Sequence, residues 1–158
     1  MRRIKRKYKS PRTSWDSDEI KSRKGLASEY GLRRRKEILI AQEKLRKFRR
    51  MARELIAKRN EEKTKELLEK LAKLGLLETG KTLDDVLALT VKNILERRLQ
   101  TIVWKKGIAS TPRQSRQFIV HGKVSVAGRR VKSPSYIVPV IEEGSLTASM
   151  PKKEVDSK

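Results

Sequence analysis

Residues 95–138 read LERRLQTIVWKKGIASTPRQSRQFIVHGKVSVAGRRVKSPSYIV, and this stretch decides the fold. Leu95, Leu99, Ile102 and Val103 recur at helical spacing and share one face. Gly107 ends that helix, and Ile108 is placed to cover its end. Thr111 then caps a second helix, with Pro112 at the first position, where a missing N–H donor costs nothing. Ser115, Phe118 and Ile119 form its apolar side, and Gly122 closes it. There the period switches to two: Val124 and Val126 point one way, Ser125 and Ala127 the other. Gly128 makes a turn, and Arg129 to Val131 return as a partner strand. Ile137 to Ile141 is a further strand, demoted to an edge by Pro139, and Leu146 to Ala148 closes the sheet. The expectation for residues 91–150 is a module of two helices followed by a short antiparallel twisted sheet.

The chain ahead of this module reads as helical, so the fold class is α+β. Ser17 is placed to cap a helix over 17–30, with Asp18 and Glu19 in its first turn and Gly31 at its stop. Over 33–59, Ile38, Ala41, Leu45, Phe48, Ala52 and Leu55 alternate steps of three and four and form one stripe. Residues 61–74 show a second stripe, Leu67, Leu68, Leu71 and Leu74, closed by Gly75 and covered by Leu76. Thr82 and Asp85 form a capping box ahead of Val86, Leu87 and Leu89. The neighbouring carboxylates Asp84 and Asp85 do not face each other on a helix, so capping explains them better than acid–base catalysis. The helical region thus spans 17–90. Residues 1–16 form a basic extended arm with too few apolar partners to fold alone; its Trp15 either stacks on a base or anchors the arm to the body. The tail 151–158, PKKEVDSK, is expected to be disordered.

The 158 residues carry 41 Lys and Arg against 19 Asp and Glu, a formal net charge of +22. Such a chain repels itself when compact, and a polyanion is the simplest remedy. The charge is uneven. Residues 1–60 hold 22 basic and 7 acidic side chains, residues 61–90 hold 5 and 7, and residues 91–158 hold 14 and 5. Two basic regions therefore flank a near-neutral spacer, which implies two contact surfaces on the polyanion. With no Cys, disulfides and cysteine-ligated metal sites are excluded, and the lone His121 makes no metal site or triad. No stretch approaches the roughly 18 apolar residues of a membrane helix, and no signal-like apolar segment follows the basic start. No phosphate-cradling glycine loop is present. No cofactor is expected.

On the 33–59 helix, Arg46, Lys47, Arg49, Arg50 and Arg53 lie off the apolar stripe and meet one acid, Glu43, a turn earlier. Intrahelical pairing cannot neutralise them, so phosphate is the better partner. In the C-terminal module the candidates are Arg97, Arg98, Lys105, Lys106, Arg113, Arg116 and Lys123. Arg113 and Arg116 are three apart and bracket a phosphate, helped by the donor-rich helix start at Thr111. Gln114 and Gln117 stand beside them, able to reach a base edge or a 2′-hydroxyl, and His121, at the end of the same helix before Gly122, is a further candidate. Trp104 is read as core packing rather than base stacking, and Tyr136 as ambiguous between the two.

The 95–138 stretch resembles the RNA-binding domain named after ribosomal protein four. The family pattern is an LxxRL-type first helix, a KxG turn, a basic second helix ending in IxxGxVxV, and a hairpin. YKSPRTSWD at 8–16, EYGL at 29–32, LRKFRRMARELIA at 45–57 and LGLL at 74–77 resemble the N-terminal part of the same small-subunit ribosomal protein family, in its archaeal and eukaryotic branch. The similarity covers about nine-tenths of the chain. One departure concerns the hairpin: the family reads VNG where this chain has Ala127 and Gly128, and Asn suits a left-handed turn position better than Ala.

The resemblance implies a non-enzymatic structural protein of the cytoplasmic ribosome. It implies direct binding to small-subunit rRNA early in assembly of the subunit body, and support of translational accuracy. It also implies contact with ribosomal protein five of the small subunit, with other ribosomal proteins, and with mRNA where it enters. The same domain is appended to RNA-modifying enzymes such as pseudouridine synthases, but residues 1–90 offer no poised catalytic acid. A nonspecific basic protein coating DNA or anionic membrane is the remaining rival.

Overall fold

The computed structural model describes residues 7–13, 15–78 and 80–149. The arm residues 1–6 and the tail 151–158 lie outside this set. Four helices build the N-terminal body: α1 (Ser17–Glu29), α2 (Arg35–Lys58), α3 (Glu61–Lys73) and α4 (Leu83–Ala88). The cap of α1 is Asp16 and not Ser17. Its carboxylate accepts from the backbone N–H groups of Asp18 at 3.1 Å and Glu19 at 3.5 Å, a geometry the longer acid reaches from one residue earlier. The α2 stripe packs as its spacing requires, with Ile38, Ala41, Leu45 and Ala52 buried, and α1, α3 and α4 gather around it. Thr82 and Asp85 form the capping box: the Thr82 N–H donates to Asp85 Oδ2 at 2.8 Å, which holds that carboxyl below its usual range. Gly75 adopts φ +67 at the end of α3, and Leu76 is buried behind it.

The module that follows departs from the sequence expectation at its first helix. Two helices stand there, α5 (Val91–Glu96) and α6 (Leu99–Lys105), parted by a two-residue link in which Arg97 turns and Arg98 is extended. The link pairs with Tyr136–Val138, far along the chain. The Val138 N–H donates to Arg97 O at 3.0 Å, the Leu99 N–H to Tyr136 O at 2.7 Å, and Arg98 bridges Ile137 antiparallel. Backbone pairing from the distant segment replaces the intrahelical bonds, and the i, i+4, i+7 apolar spacing runs on across the break. Leu95 and Leu99 share that stripe in sequence yet serve different cores. Leu95 belongs with Leu45, Leu71 and Val86, and Leu99 with Ile102, Val103, Ile119 and Val138. The changeover between cores therefore falls at 97–98, later than residue 90.

The same pairing corrects the strand expected over Ile137–Ile141. Only Ile137 makes a bridge, and Pro139 leads into a short helix, α8 (Val140–Glu143). The remainder follows the expected order. Helix α7 (Pro112–Val120) is capped by Thr111 Oγ1, which accepts from the Gln114 N–H at 3.2 Å. The sheet has order β2-β1-β3, with β1 (Val124–Val126), β2 (Arg129–Arg130) and β3 (Leu146–Ala148) all antiparallel. Val126 pairs with Arg129, so the hairpin loop is two residues long, and both Ala127 (φ +47) and Gly128 (φ +74) are left-handed. Positive φ at both positions is what a type I′ turn needs, and Ala127 adopts it without the Asn that usually eases it.

The two units meet at Gln100, which is 1% exposed. Its Nε2 donates to the carbonyls of Tyr30 (3.2 Å), Gly31 (3.0 Å) and Pro112 (2.9 Å), tying the end of α1 to the start of α7. Gly31 holds φ +59, and a Cβ there would lie 2.7 Å from Pro112 Cβ. Only glycine allows this approach. We expect Gln100→Leu to lower unfolding free energy by about 2 kcal/mol, because the buried carbonyls of Tyr30 and Gly31 and the partly buried one of Pro112 lose their shared donor. Chemical denaturation read by circular dichroism measures it, and an unchanged midpoint would refute the keystone role.

Candidate nucleic-acid interface

The candidates on α2 separate by face. Lys47 and Arg53 are exposed. Arg50 is also exposed but pairs with Glu54 at 3.1 Å, and Arg46 pairs with Glu43 at 3.1 Å. The expectation that this cluster meets one acid is corrected by Glu54, which lies one turn on. The Arg50–Glu54 pair is largely solvated and worth little, so it yields readily to phosphate; in the other pair Arg46 is exposed while Glu43 is partly covered. Arg49 differs: it is half-buried, and its guanidinium donates to Leu89 O at 2.6 Å, clamping α2 to the loop after α4.

In the C-terminal module the structure turns three arginines inward. Arg97 donates to Leu74 O (3.1 Å), Val138 O (2.8 Å) and Glu143 (2.8 Å), and its guanidinium occupies the space beside Gly75. Arg98 is 5% exposed and pairs with Glu37 at 2.6 Å. Arg116 reaches both oxygens of the same carboxylate at 3.2 Å. The expected Arg113–Arg116 bracket is thus not formed: Arg113 is exposed, and Arg116 folds back onto α2. Sequence spacing places the two on one helix face and carries no information about Glu37, which arrives from a distant helix.

The remaining candidates divide similarly. Gln114 is half-buried, and its Oε1 accepts from the Ser110 N–H at 2.8 Å, while Gln117 is exposed. Thr111 serves as the α7 cap. His121 is exposed at the C-terminal end of α7, and the Lys123 ammonium stands 5.8 Å from the Phe118 ring centre. Lys105 lies 3.6 Å from Glu96 in a solvated pair, and Lys106 donates to Glu143 O. Trp15 is 92% exposed, so its ring does not anchor the arm. Trp104 is half-buried, and the Tyr136 hydroxyl donates to Glu142 at 2.7 Å.

Sequence reasoning missed two groups. Arg129, Arg130 and Lys132 are exposed on and beside the hairpin. Their place in a basic hairpin is legible in the sequence, and only their outward direction requires the register. The second group lines a cleft of about 430 Å³ where α2 faces α5, α7 and the 134–137 segment; it includes Lys7, Arg34, Lys36 and Lys44. Among the described residues Glu37 is the single carboxylate lining that cleft. Burial pushes its pKa up, but the Arg98 and Arg116 guanidiniums outweigh burial and hold it below the usual range. Lys44 is shifted down, first by burial and then by repulsion from Arg98 and Lys7. Among the described residues no group of three or more His, Asp or Glu is arranged to hold a metal. No helix among them is long and apolar enough to cross a membrane.

Two comparisons bear on this surface. Residues 97–142 match the S4 domain, beginning where the second core begins. Over 150 residues the chain is 44% identical to the small ribosomal subunit protein uS4 of Methanococcus aeolicus, spanning 92% of this chain and 85% of that protein. Over 147 residues it is 49% identical to uS4 of Saccharolobus islandicus, spanning 90% and 81%. Over 153 residues it is 42% identical to uS4 of Korarchaeum cryptofilum, spanning 96% and 92%. Identity at this level across nearly the whole of each chain reaches both the helical body and the sheet module, and so the chain belongs to the archaeal-type uS4 family of small ribosomal subunit proteins, with the S4 domain as its C-terminal unit.

Proposed function

We propose that the chain is a non-enzymatic structural constituent of the small ribosomal subunit that grips small-subunit rRNA with two surfaces. One is the outer face of α2, carrying Lys47, Arg50 and Arg53. The other is the α7 and hairpin side of the S4 domain, carrying Arg113, Gln117, His121, Arg129 and Arg130. The observation that carries this reading is the excess of exposed cations on both sides of a spacer that is itself net acidic. Two grips joined through the Gln100 and Glu37 contacts fix the angle between the RNA helices they hold. A protein that sets such an angle acts early, so it nucleates assembly of the subunit body. Its partners are then neighbouring ribosomal proteins, ribosomal protein five of the small subunit among them, and mRNA where it enters. Through those contacts it supports accurate decoding.

A competition assay tests the reading. The purified full chain, at physiological salt and without other proteins, should prefer small-subunit rRNA to duplex DNA or anionic vesicles by at least about a hundredfold. Equal binding to all three would support a nonspecific coat instead. Within the same assay Arg113→Ala should weaken rRNA binding about three- to tenfold, as loss of one phosphate contact requires, and leave the melting temperature unchanged. Adding Arg116→Ala to it is expected to cost stability as well, because Glu37 then loses one of its two partners.

A further inference from the structure

The cleft between the helical body and the S4 domain gathers six cations, Lys7, Arg34, Lys36, Lys44, Arg98 and Arg116, around one carboxylate. Glu37 is already engaged by Arg98 and Arg116. The charge of the other four is uncompensated by any described residue that lines the cleft. Two further observations mark the cleft as suited to an anionic ligand. Lys44 is half-buried, and its ammonium has no hydrogen-bond or ion-pair partner among the described residues. Arg98, almost fully buried, has an Nε with no partner among them either. A protein that needed Lys44 only for packing would be better served by an uncharged side chain of that length, since a desolvated cation beside other cations opposes folding. The placement follows from α2 itself. Glu37, Ala41 and Lys44 lie at i, i+4 and i+7, so all three share the face of α2 that lines the cleft.

We propose that this cleft receives one backbone phosphate of the bound rRNA, with the Lys44 ammonium as its receptor. The inference rests on the rRNA-binding reading above and deepens it. The phosphate would sit between α2 and the S4 domain, so binding it tightens the junction that sets the angle between the two units. The free chain carries the repulsion, and the RNA removes it. Lys44 therefore acts in opposite directions on folding and on binding.

Lys44→Met, which keeps the apolar stem, separates these effects in the full chain. Affinity for small-subunit rRNA should fall about three- to tenfold, and the log–log salt slope should shrink by about 0.7 to 0.9, the share of one phosphate. The melting temperature of the RNA-free variant should stay level or rise. Affinity equal to that of the unmodified chain overturns the proposal and leaves the rRNA reading standing. A melting temperature that falls along with affinity also overturns it, since Lys44 would then be structural. If the unmodified chain shows no salt-sensitive rRNA binding, the underlying reading fails first and this one with it. Because the chain contains no cysteine, Ser135→Cys places a single photocrosslinker at the cleft rim. It should crosslink to rRNA more strongly than one at Glu62→Cys, beyond the far end of α2 and roughly 20 Å or more away by helical rise. Equal yields from the two positions count against the cleft.

Discussion

Raising monovalent salt from about 50 to about 200 mM should cost the chain roughly a thousandfold or more in affinity for small-subunit rRNA, the loss expected for six to ten neutralised phosphates. The exposed cations make that number of contacts reasonable. Lys47, Arg50 and Arg53 on α2, Arg113 on α7, and Arg129, Arg130 and Lys132 around the hairpin all face solvent. The Arg50–Glu54 pair does not change the expectation, because a solvated pair exchanges its carboxylate for phosphate at little loss. Arg49, Arg97 and Arg98 should add little to the slope, since their guanidiniums are held inside by Leu89 O, Leu74 O, Val138 O and Glu37. Filter binding across a salt series measures the slope. A slope shallower than about two contacts would show that the charge serves something other than RNA.

Glu37→Gln should destabilise the chain by about 3 to 5 kcal/mol, because it leaves the buried Arg98 guanidinium without its counter-charge. The Glu37 side chain is 12% exposed and that of Arg98 is 6% exposed, so water cannot substitute for the lost carboxylate. At this chain length the change corresponds to a drop of about 10 °C or more in melting temperature. The damage should concentrate at the junction, where Glu37 joins α2 to the S4 domain through Arg98 and Arg116, so hydrogen exchange should rise first around 97–98 and α7. The pH dependence follows from the depressed Glu37 pKa. The ionised carboxylate stabilises the native state fully above its ordinary value of 4.5, and that contribution disappears as pH falls through the lower folded value. The variant should therefore lose that part of the acid sensitivity. A variant that melts within about 2 °C of the parent would show the pair to be weak.

Much of the fold is legible in the amino-acid sequence. The stripes of α2 and α3, the Thr82 and Thr111 caps, the glycine stops at 31, 75, 107 and 122, and the β1–β2 hairpin all follow from rules acting within a few residues. The outward cations Lys47, Arg53 and Arg113 are legible for the same reason, since a charge off an apolar stripe faces away from the core. The features that are not legible depend on partners far along the chain. The break at Arg97–Arg98 arises from pairing with Tyr136–Val138, while the local pattern continues undisturbed. The fates of Arg97, Arg98 and Arg116 depend on Leu74, Glu37 and Glu143, between 23 and 79 residues away.

By itself, the sequence determined that this is a helical, strongly cationic chain ending in a two-helix and hairpin module, because periodicity, capping and net charge are local or additive properties. The tertiary structure alone decided which cations remain for RNA. An arginine's role depends on whether a carbonyl or carboxylate comes within about 3 Å of it in the folded chain, and neither spacing nor composition encodes that meeting.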